Sequence, residues 1–433
     1  MYSYLSVSQR LAVDKILAGN NVFITGAAGT GKSYLLNHLK TLGSRNIQLT
    51  ATTGVAAINV GGTTLHSWAG LGREEIPVRE IARRILSARG INIRRKILNT
   101  EALAIDEISM LSRETFEMLE ELLRLVRGNS EPFGGIQMIL FGDFFQLPPV
   151  KSSSYCFESP VWTDASIETV VLEEVFRQQD RRFVELLDNL RWGLVVRDDL
   201  DLLEGRSNLK PSGVIEPTVL STHNLSVEKI NLGRLNFLPS REVTYRAKYS
   251  GSADKIESFR RNSLAKEVLT LKVGSQVMML RNVCPKEGII NGSVGVVTGF
   301  SAKKSYPLVD FGNAREFLVV PETWEISSFS YETGELEVIA TMTQIPLALA
   351  WAMTVHKSQG MTIDRIECDL RNSFAEGQVY VALSRARSLE GIFIRSLDPR
   401  KLMVNRKIVE FYRAATTGKG RAQAVSSGGI WCE

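Results

Sequence analysis

The run TGAAGTGKS, Thr25 to Ser33, carries three glycines, a lysine and a hydroxyl at the spacing that cradles a chain of phosphates. Gly26, Gly29 and Gly31 let the backbone turn tightly and aim N–H groups at anionic oxygens, and a helix starting there adds its positive end. Lys32 would reach the β- and γ-phosphates of a bound nucleotide, and Ser33 would hold Mg²⁺. Farther on, LAIDEISM ends an apolar run in two adjacent carboxylates. Asp106 suits a Mg²⁺ held through water, and Glu107 suits orienting and deprotonating an attacking water. Alone, such a pair reads as a solvated turn; with a phosphate loop upstream it completes a nucleoside triphosphatase. FGDFFQLPPV closes another apolar run, placing Gln146 to sense the γ-phosphate, while Pro148 and Pro149 stiffen the loop.

These groups need elements to position them. Asn21–Thr25 reads as a buried strand and Tyr34–Leu39 as the helix after the loop, which is the context a phosphate loop requires. Ile47–Thr50, Ala102–Asp106 and Ile136–Phe141 read as further strands. The helix Arg113–Arg127 presents Phe116, Leu119, Leu123 and Val126 as a core stripe. The alternation predicts a doubly wound parallel α/β sheet up to about residue 165. A basic insertion interrupts it at 72–97. Its seven Lys/Arg between Arg79 and Lys96, against the single acid Glu80, form either a solvated face or a nucleic-acid face.

A second α/β region begins near Ile167, with a strand at Val219–Ser221, and is broken by a β-rich segment at 242–345. There GSQVMML and NGSVGVVTGF alternate at period two, Asn291-Gly292 marks a hairpin, and YPLVDF and REFLVV follow, which predicts a small β-barrel. The α/β pattern resumes with a helix at Leu347–His356, a strand at Ile366–Leu370 and helices at Glu376–Leu383 and Pro399–Ala414. The glycine- and serine-rich tail from Thr416 to Glu433 reads as mobile.

Composition bounds the rest. With 433 residues, 44% of them hydrophobic, the chain can build two to four full cores, and no apolar run approaches the roughly 20 residues of a membrane span. The sequence MYSYLSVSQRLAVDKIL has neither a signal-peptide nor a transit-peptide profile. Cys156, Cys284, Cys368 and Cys432 are too scattered for a disulfide framework, structural zinc or an iron–sulfur cluster, which fits a reducing compartment. A net charge of +5 permits nucleic-acid binding without requiring it.

The segments ATTGVAAINVGGTTLHSWAGLG, IDEISML, PFGGIQMILFGDFFQLPPV, LEEVFRQ, AWAMTVHKSQGMTI and GQVYVALSRARSLEGI together resemble the PIF (petite integration frequency) DNA helicases, in the 5′-to-3′ branch of superfamily 1. The matching segments run in family order to about residue 395. The resemblance implies two RecA-like P-loop domains with parallel sheets, the first at 1–71 and 98–165, the second at 166–241 and 346–415. The small insertion at 72–97 becomes a wedge-type subdomain and 242–345 a barrel similar to Src-homology-3 domains. It implies ATP and Mg²⁺ as cofactors. The partners implied are single-stranded, duplex and forked DNA, with guanine-quadruplex and RNA–DNA hybrids as further substrates, no membrane, and a chain that is monomeric in solution.

Residue by residue, the resemblance makes Gln9 the adenine-reading glutamine. It assigns the nucleotide to Gly26, Ala28, Gly29, Thr30, Gly31, Lys32, Ser33 and Tyr34, with Gln359 and Gly360 linking nucleotide to DNA. Arg177 and Arg385 become the arginines that reach the γ-phosphate from the second domain, so that the ATP site is completed when the two lobes close. Thr53, Gly54, Thr64, His66, Ser67, Thr354, His356 and Lys357 fall in motifs that line the single-strand track. Hydroxyls and Lys357 suit phosphate oxygens, and imidazole suits phosphate or a base; core packing is the competing reading for both histidines. Trp68 either stacks on a base or is buried. Residues 72–100 hold no Phe, Tyr or Trp, so an aromatic wedge must come from elsewhere.

Three rivals remain. A hexameric protein remodeller would use the same loop and acid pair, but the in-chain Arg385 speaks against it. A non-catalytic single-strand binding protein would have no need of Lys32 and Glu107. A RecD-like helicase fits the PFGGIQ and FFQLPPV segments less well. A chain this compact suits a bacterial or phage protein in the cytoplasm, or the nucleus or mitochondrion of a eukaryote.

Overall fold

The computed structural model describes residues 5–39, 46–71, 76–149, 152, 154–207, 209–221, 224–312, 314–329, 336–371 and 376–416. The expected tail therefore lies, beyond Thr416, outside the described residues, as do the first four residues of the basic insertion. The chain divides into two units. The first takes residues up to Phe176, Glu325–Ile339 and the stretch from Glu410; the second takes Arg177–Trp324 and Ala340–Val409.

In the first unit, β1 (Val22–Gly26), β2 (Ile47–Ala51), β3 (Thr63–Thr64), β4 (Ala102–Asp106), β5 (Gln137–Phe141) and β6 (Glu168–Leu172) form one sheet in the order β3-β2-β4-β5-β1-β6. Every pairing in it is parallel. A parallel strand covered on both faces has no solvent side, which is why β1 (VFITG) and β5 (QMILF) carry consecutive apolar residues and are buried throughout. Val22 and Ile24 of β1 share a core with Ala12, Val13 and Ile16 of α1 (Val7–Leu17) and with Leu35, Leu36 and Leu39 of α2 (Lys32–Leu39). Because β4, β5 and β1 are consecutive and parallel, their three C-terminal ends open on one edge of the sheet. The acid pair, the Gln146 loop and the phosphate loop leave from those ends.

Short helices α3 (Gly54–Asn59) and α4 (Leu65–Ala69) flank β3. The basic insertion holds α5 (Val78–Leu86) and α6 (Ile91–Asn99), which bury Ile81, Ala82, Ile85 and Ile97 and leave Arg79, Arg83, Arg84, Arg94 and Arg95 exposed, as is Arg89 in the turn between them. α7 (Arg113–Arg127) starts at the Ser112 cap and buries the expected Phe116, Leu119, Leu123 and Val126. Rings from distant segments meet in this unit: Phe23 lies 5.0 Å from Phe144 and 5.4 Å from Trp162, and Phe411 stacks on Phe157 at 4.3 Å.

The second unit contains a four-stranded parallel sheet in the order Ala352–Thr354, Thr218–Ser221, Ile366–Asp369, Ile392–Ser396. It also contains a five-stranded antiparallel sheet of Gln276–Met279, Val294–Phe300, Pro307–Asp310, Glu316–Leu318 and Leu347–Leu349. Leu269, Leu271, Val277, Met279, Val297, Val309 and Leu347 form its core.

The helix expected at Leu347–His356 does not form. Leu347–Leu349 is a strand antiparallel to Gln276–Met279, Ala352–Thr354 is a strand parallel to Thr218–Ser221, and only Val355–Ser358 is helical. The run LALAWAM is apolar at every position, so its periodicity cannot separate a buried helix from buried strands. The helix expected at Pro399–Ala414 is a single 3₁₀ turn at Pro399–Lys401 followed by a helix at Arg406–Thr416. Among the described residues, no helix is long and apolar enough to cross a membrane.

Candidate nucleotide site and nucleic-acid contacts

β1 delivers the chain to Gly26, and the loop turns through Gly29 and Gly31, each at φ 85°. Gly31 is required twice over: its φ is left-handed, and a Cβ there would come within 2.6 Å of Gln9 Nε2. Lys32 Nζ donates to Gly26 O at 2.6 Å and Ala27 O at 3.0 Å, so the ammonium lies inside the loop it is expected to serve. Thr30 Oγ1 donates to Ala27 O at 2.9 Å and is buried with Ala28, while Ser33 and Tyr34 are exposed at the start of α2.

Gln9 is buried and holds two jobs. Its Oε1 accepts Ser6 N at 3.1 Å in the capping box of α1, and its Nε2 donates to Thr30 O at 3.4 Å. The expected base-reading amide is thus anchored directly against the phosphate loop.

At the end of β4, Asp106 Oδ1 accepts the Glu107 amide at 2.9 Å. Burial, then the neighbouring Glu107 charge, push the Asp106 carboxyl up to about 7, against the opposing pull of that amide and of Lys32. Glu107 sits in the left-handed region at φ 54°, a conformation that costs a side-chain-bearing residue about 1–3 kcal/mol and clusters at functional sites. Thr52, just past β2, holds it there: Thr52 Oγ1 donates to Glu107 O at 2.8 Å and Thr52 N to Asp106 O at 3.2 Å. Gln146 is buried at the end of the β5 loop, its amide bonded to Asp143 O at 2.9 Å.

In the second unit the two arginines come together. Arg385, only 1% exposed, donates from Nε to Val381 O at 2.9 Å, from one terminal nitrogen to Ser358 O at 3.4 Å and from the other to Ser384 Oγ at 2.9 Å. Arg177 donates to Ser384 O at 3.0 Å and Gly360 O at 3.4 Å. Burial, and then the charge of Arg385, lower the Arg177 guanidinium to about 9. Two guanidiniums pressing on each other make a site that an anion would relieve. Gln359 lies between Ser358 and Gly360, half-buried, its amide bonded to His356 O at 3.3 Å.

The expected DNA contacts fall on three turns. Thr53 caps α3 through Ala56 N, and Gly54 opens that helix. Thr64 Oγ1 accepts Ser67 N and Thr354 Oγ1 accepts Lys357 N, both at 3.3 Å. His66, Ser67, His356 and Lys357 are all exposed, so core packing does not account for either imidazole, although surrounding protein lowers the pKa of both. Trp68 is 1% exposed, with Lys96 Nζ 5.9 Å from its ring centroid; it is a core residue and offers no face to a base.

Sequence reasoning missed three neighbours of these groups. Phe176, 58% exposed, donates its amide to Gly29 O at 2.9 Å and lays its ring beside Gly31. Gln178 Nε2 donates to Ser384 O at 3.3 Å and Ala386 O at 2.9 Å, strapping the turn that carries Arg385. Both adjoin Arg177 in VFRQ, so that motif held the signal. Thr52 is the third; it lies in the ATTGVAA segment beside Thr53, directly after a strand.

Residues 4–196 match the PIF1-like helicase family, and residues 256–300 match the 2B domain of DNA helicase Pif1. The chain is 38% identical over 431 residues to the ATP-dependent DNA helicase PIF1 of Homo sapiens, covering 98% of this chain and 65% of that protein. It is 33% identical to ATP-dependent DNA helicase Pif1 of Psychrobacter sp., covering 92% of this chain and 69% of that one. The chain spans 64–65% of the length of the Homo sapiens, Xenopus laevis and Danio rerio proteins. Among solved structures, Bacteroides sp Pif1 in complex with ADP-AlF4 is 33% identical with a TM-score of 0.83, covering 96% of this chain and 98% of that one. Bacteroides Pif1 bound to ssDNA is 33% identical with a TM-score of 0.64, covering 96% and 97%.

Proposed function

This chain belongs to the PIF1-like family of DNA helicases, with two RecA-like domains, and from that premise we propose that it is an ATP-driven motor that travels 5′ to 3′ along single-stranded DNA and unwinds duplex or forked DNA. Guanine-quadruplex and RNA–DNA hybrids are further substrates in this reading, and the chain works as a monomer in solution. Gln9 and the loop from Gly26 to Tyr34 bind ATP, with Lys32 leaving the Gly26 and Ala27 carbonyls for the phosphates. Glu107 orients the attacking water and accepts its proton. Gln146 senses the γ-phosphate, and Arg177 and Arg385 supply positive charge for it. Gln359 and Gly360 carry the change to His356, Lys357 and Thr354, which grip the strand together with Thr53, Gly54, Thr64, His66 and Ser67.

An exposed Ser33 hydroxyl and the Asp106 carboxyl, raised by burial and then by the Glu107 charge, are all-oxygen donors that fit a hard divalent cation. Ser33 and Asp106 would hold Mg²⁺, which when bound supplies charge neutralisation at the β- and γ-phosphate oxygens.

One observation carries the proposal: Glu107 is fixed in a strained turn by Thr52, at the same sheet edge as an intact phosphate loop. The test is unwinding of duplexes with 5′ or 3′ single-stranded overhangs, alongside Glu107→Gln. Unwinding should start from the 5′ overhang alone. The variant should bind ATP and oligonucleotide yet lose about 10²–10⁴-fold in turnover, the range for losing a general base. Equal unwinding from both overhangs refutes the polarity, and an active variant refutes the assigned base.

A further inference from the structure

The phosphate loop and the Gln146 loop leave neighbouring strands, whose ladder continues past β5 as far as the bond from Gly142 N to Ile24 O at 3.2 Å. Beyond that bond, a side chain from far along the sequence joins the two loops. Tyr412, in the part of the C-terminal helix Arg406–Thr416 that belongs to the first unit, is buried with its hydroxyl between the two loops. The oxygen lies 2.7 Å from Thr25 Oγ1, 3.1 Å from Phe144 N and 3.3 Å from Asp143 Oδ1.

A phenol has one proton to give and can accept two, so these three bonds can be made at once. The Phe144 amide and the Thr25 hydroxyl donate to it, and it donates to the Asp143 carboxylate. Thr25 immediately precedes Gly26, whose carbonyl receives Lys32. On the other side, Asp143 also accepts the Phe145 amide at 3.3 Å, and its carbonyl accepts the Gln146 amide at 2.9 Å. The Tyr412 ring stacks on Phe145 at 4.8 Å and 11°, and its neighbour Phe411 stacks on Phe157, so the hydroxyl is mounted rigidly.

We propose that Tyr412 is a positioning residue for ATP turnover: its buried hydroxyl sets the spacing between the root of the phosphate loop at Thr25 and the Asp143–Gln146 loop, and so places Gln146 against the γ-phosphate. The inference rests on the ATPase reading above and adds a residue to it. Tyr412 touches no substrate; it acts through Thr25 and Gln146.

The experiment compares wild type, Tyr412→Phe and Thr25→Val. It measures kcat and KM for ATP with saturating oligonucleotide, and the rise in melting temperature given by ADP and by ADP with aluminium fluoride, which mimics the transferring phosphoryl group. Tyr412→Phe keeps the ring and its stacking. It should lower kcat about tenfold with KM for ATP within about twofold, since small misplacement of a catalytic group costs rate rather than binding. Both variants should respond to ADP as wild type does and lose most of the additional rise from aluminium fluoride. The double variant should be no slower than the worse single one.

A uniform fall in melting temperature with wild-type kcat and a wild-type aluminium fluoride increment means the hydroxyl is only structural and overturns the proposal. Wild-type turnover indifferent to oligonucleotide would instead overturn the motor reading, while the comparison of kcat between wild type and Tyr412→Phe would still decide the role of Tyr412.

Discussion

Thr64 and Thr354 occupy the same position in two turns on different sheets. Each ends the edge strand of a parallel sheet, caps the amide three residues on, and is followed by a buried aliphatic residue, Leu65 or Val355, and an exposed histidine, His66 or His356. Behind the histidines the turns differ. The first runs into buried Trp68 beside Lys96 and then Gly70, where a Cβ would meet Ile93 at 2.9 Å, so it is mounted on the basic helices α5 and α6. The second runs into Ser358 and Gly360, whose carbonyls receive Arg385 and Arg177. One local design is thus fixed to a helical scaffold in one case and bonded to the Arg177–Arg385 pair in the other, which in the proposed function makes the second grip the one that responds to nucleotide.

The largest way to break this contrast is Arg385→Ala. An arginine acting on transferring phosphate is worth roughly 10³–10⁵ in rate, so oligonucleotide-stimulated kcat should fall at least 10³-fold. Oligonucleotide affinity, followed by fluorescence anisotropy with and without a non-hydrolysable ATP analogue, should also stop responding to nucleotide. A retained response would show that the second turn is not wired through Arg385.

A smaller effect sharpens the same point. His66→Ala and His356→Ala should each weaken single-strand binding about tenfold, within the 1–3 kcal/mol that a base or phosphate contact of this kind provides. Only His356→Ala should also lower kcat once oligonucleotide is saturating, and equal kcat losses in both would erase the contrast.

The smallest effect is in pH. Surrounding protein lowers both imidazoles from their ordinary 6.5, so both are neutral at pH 7. Acidification below that range adds protons and attraction for phosphate, so oligonucleotide affinity should rise as pH falls. The free protein should lose stability over the same fall, because the unfolded imidazoles take up protons first. Replacing both histidines should flatten the affinity profile; an unchanged profile would assign the titration elsewhere.

Much of the candidate site could be named from the sequence because its motifs are written in contiguous residues. A phosphate loop needs its glycines, Lys32 and Ser33 within one turn, and Asp106-Glu107 needs only the strand before it. Groups that act across long separations left no such trace: Tyr412 bonds Thr25 across 387 positions, and nothing in FYRAA marks it. Trp68 stayed open between a base-stacking and a buried reading because an indole next to an exposed histidine carries no sign of which way it points, and the fold buries it. Leu347–His356 misled for a different reason, since two buried strands and a buried helix share the same all-apolar run.

The late position of Phe411 and Tyr412 also bears on how the protein is made. The first sheet is fully translated once Phe176 has left the ribosome, yet two rings of its aromatic cluster are still to be synthesised. At about 5–20 residues per second, the nascent unit waits roughly 10–50 seconds with that apolar face unsealed. An apolar face left open in this way is the kind of surface chaperones bind. Prematurely terminated chains that stop short of the closing helix would keep the face open for good and be cleared or aggregate.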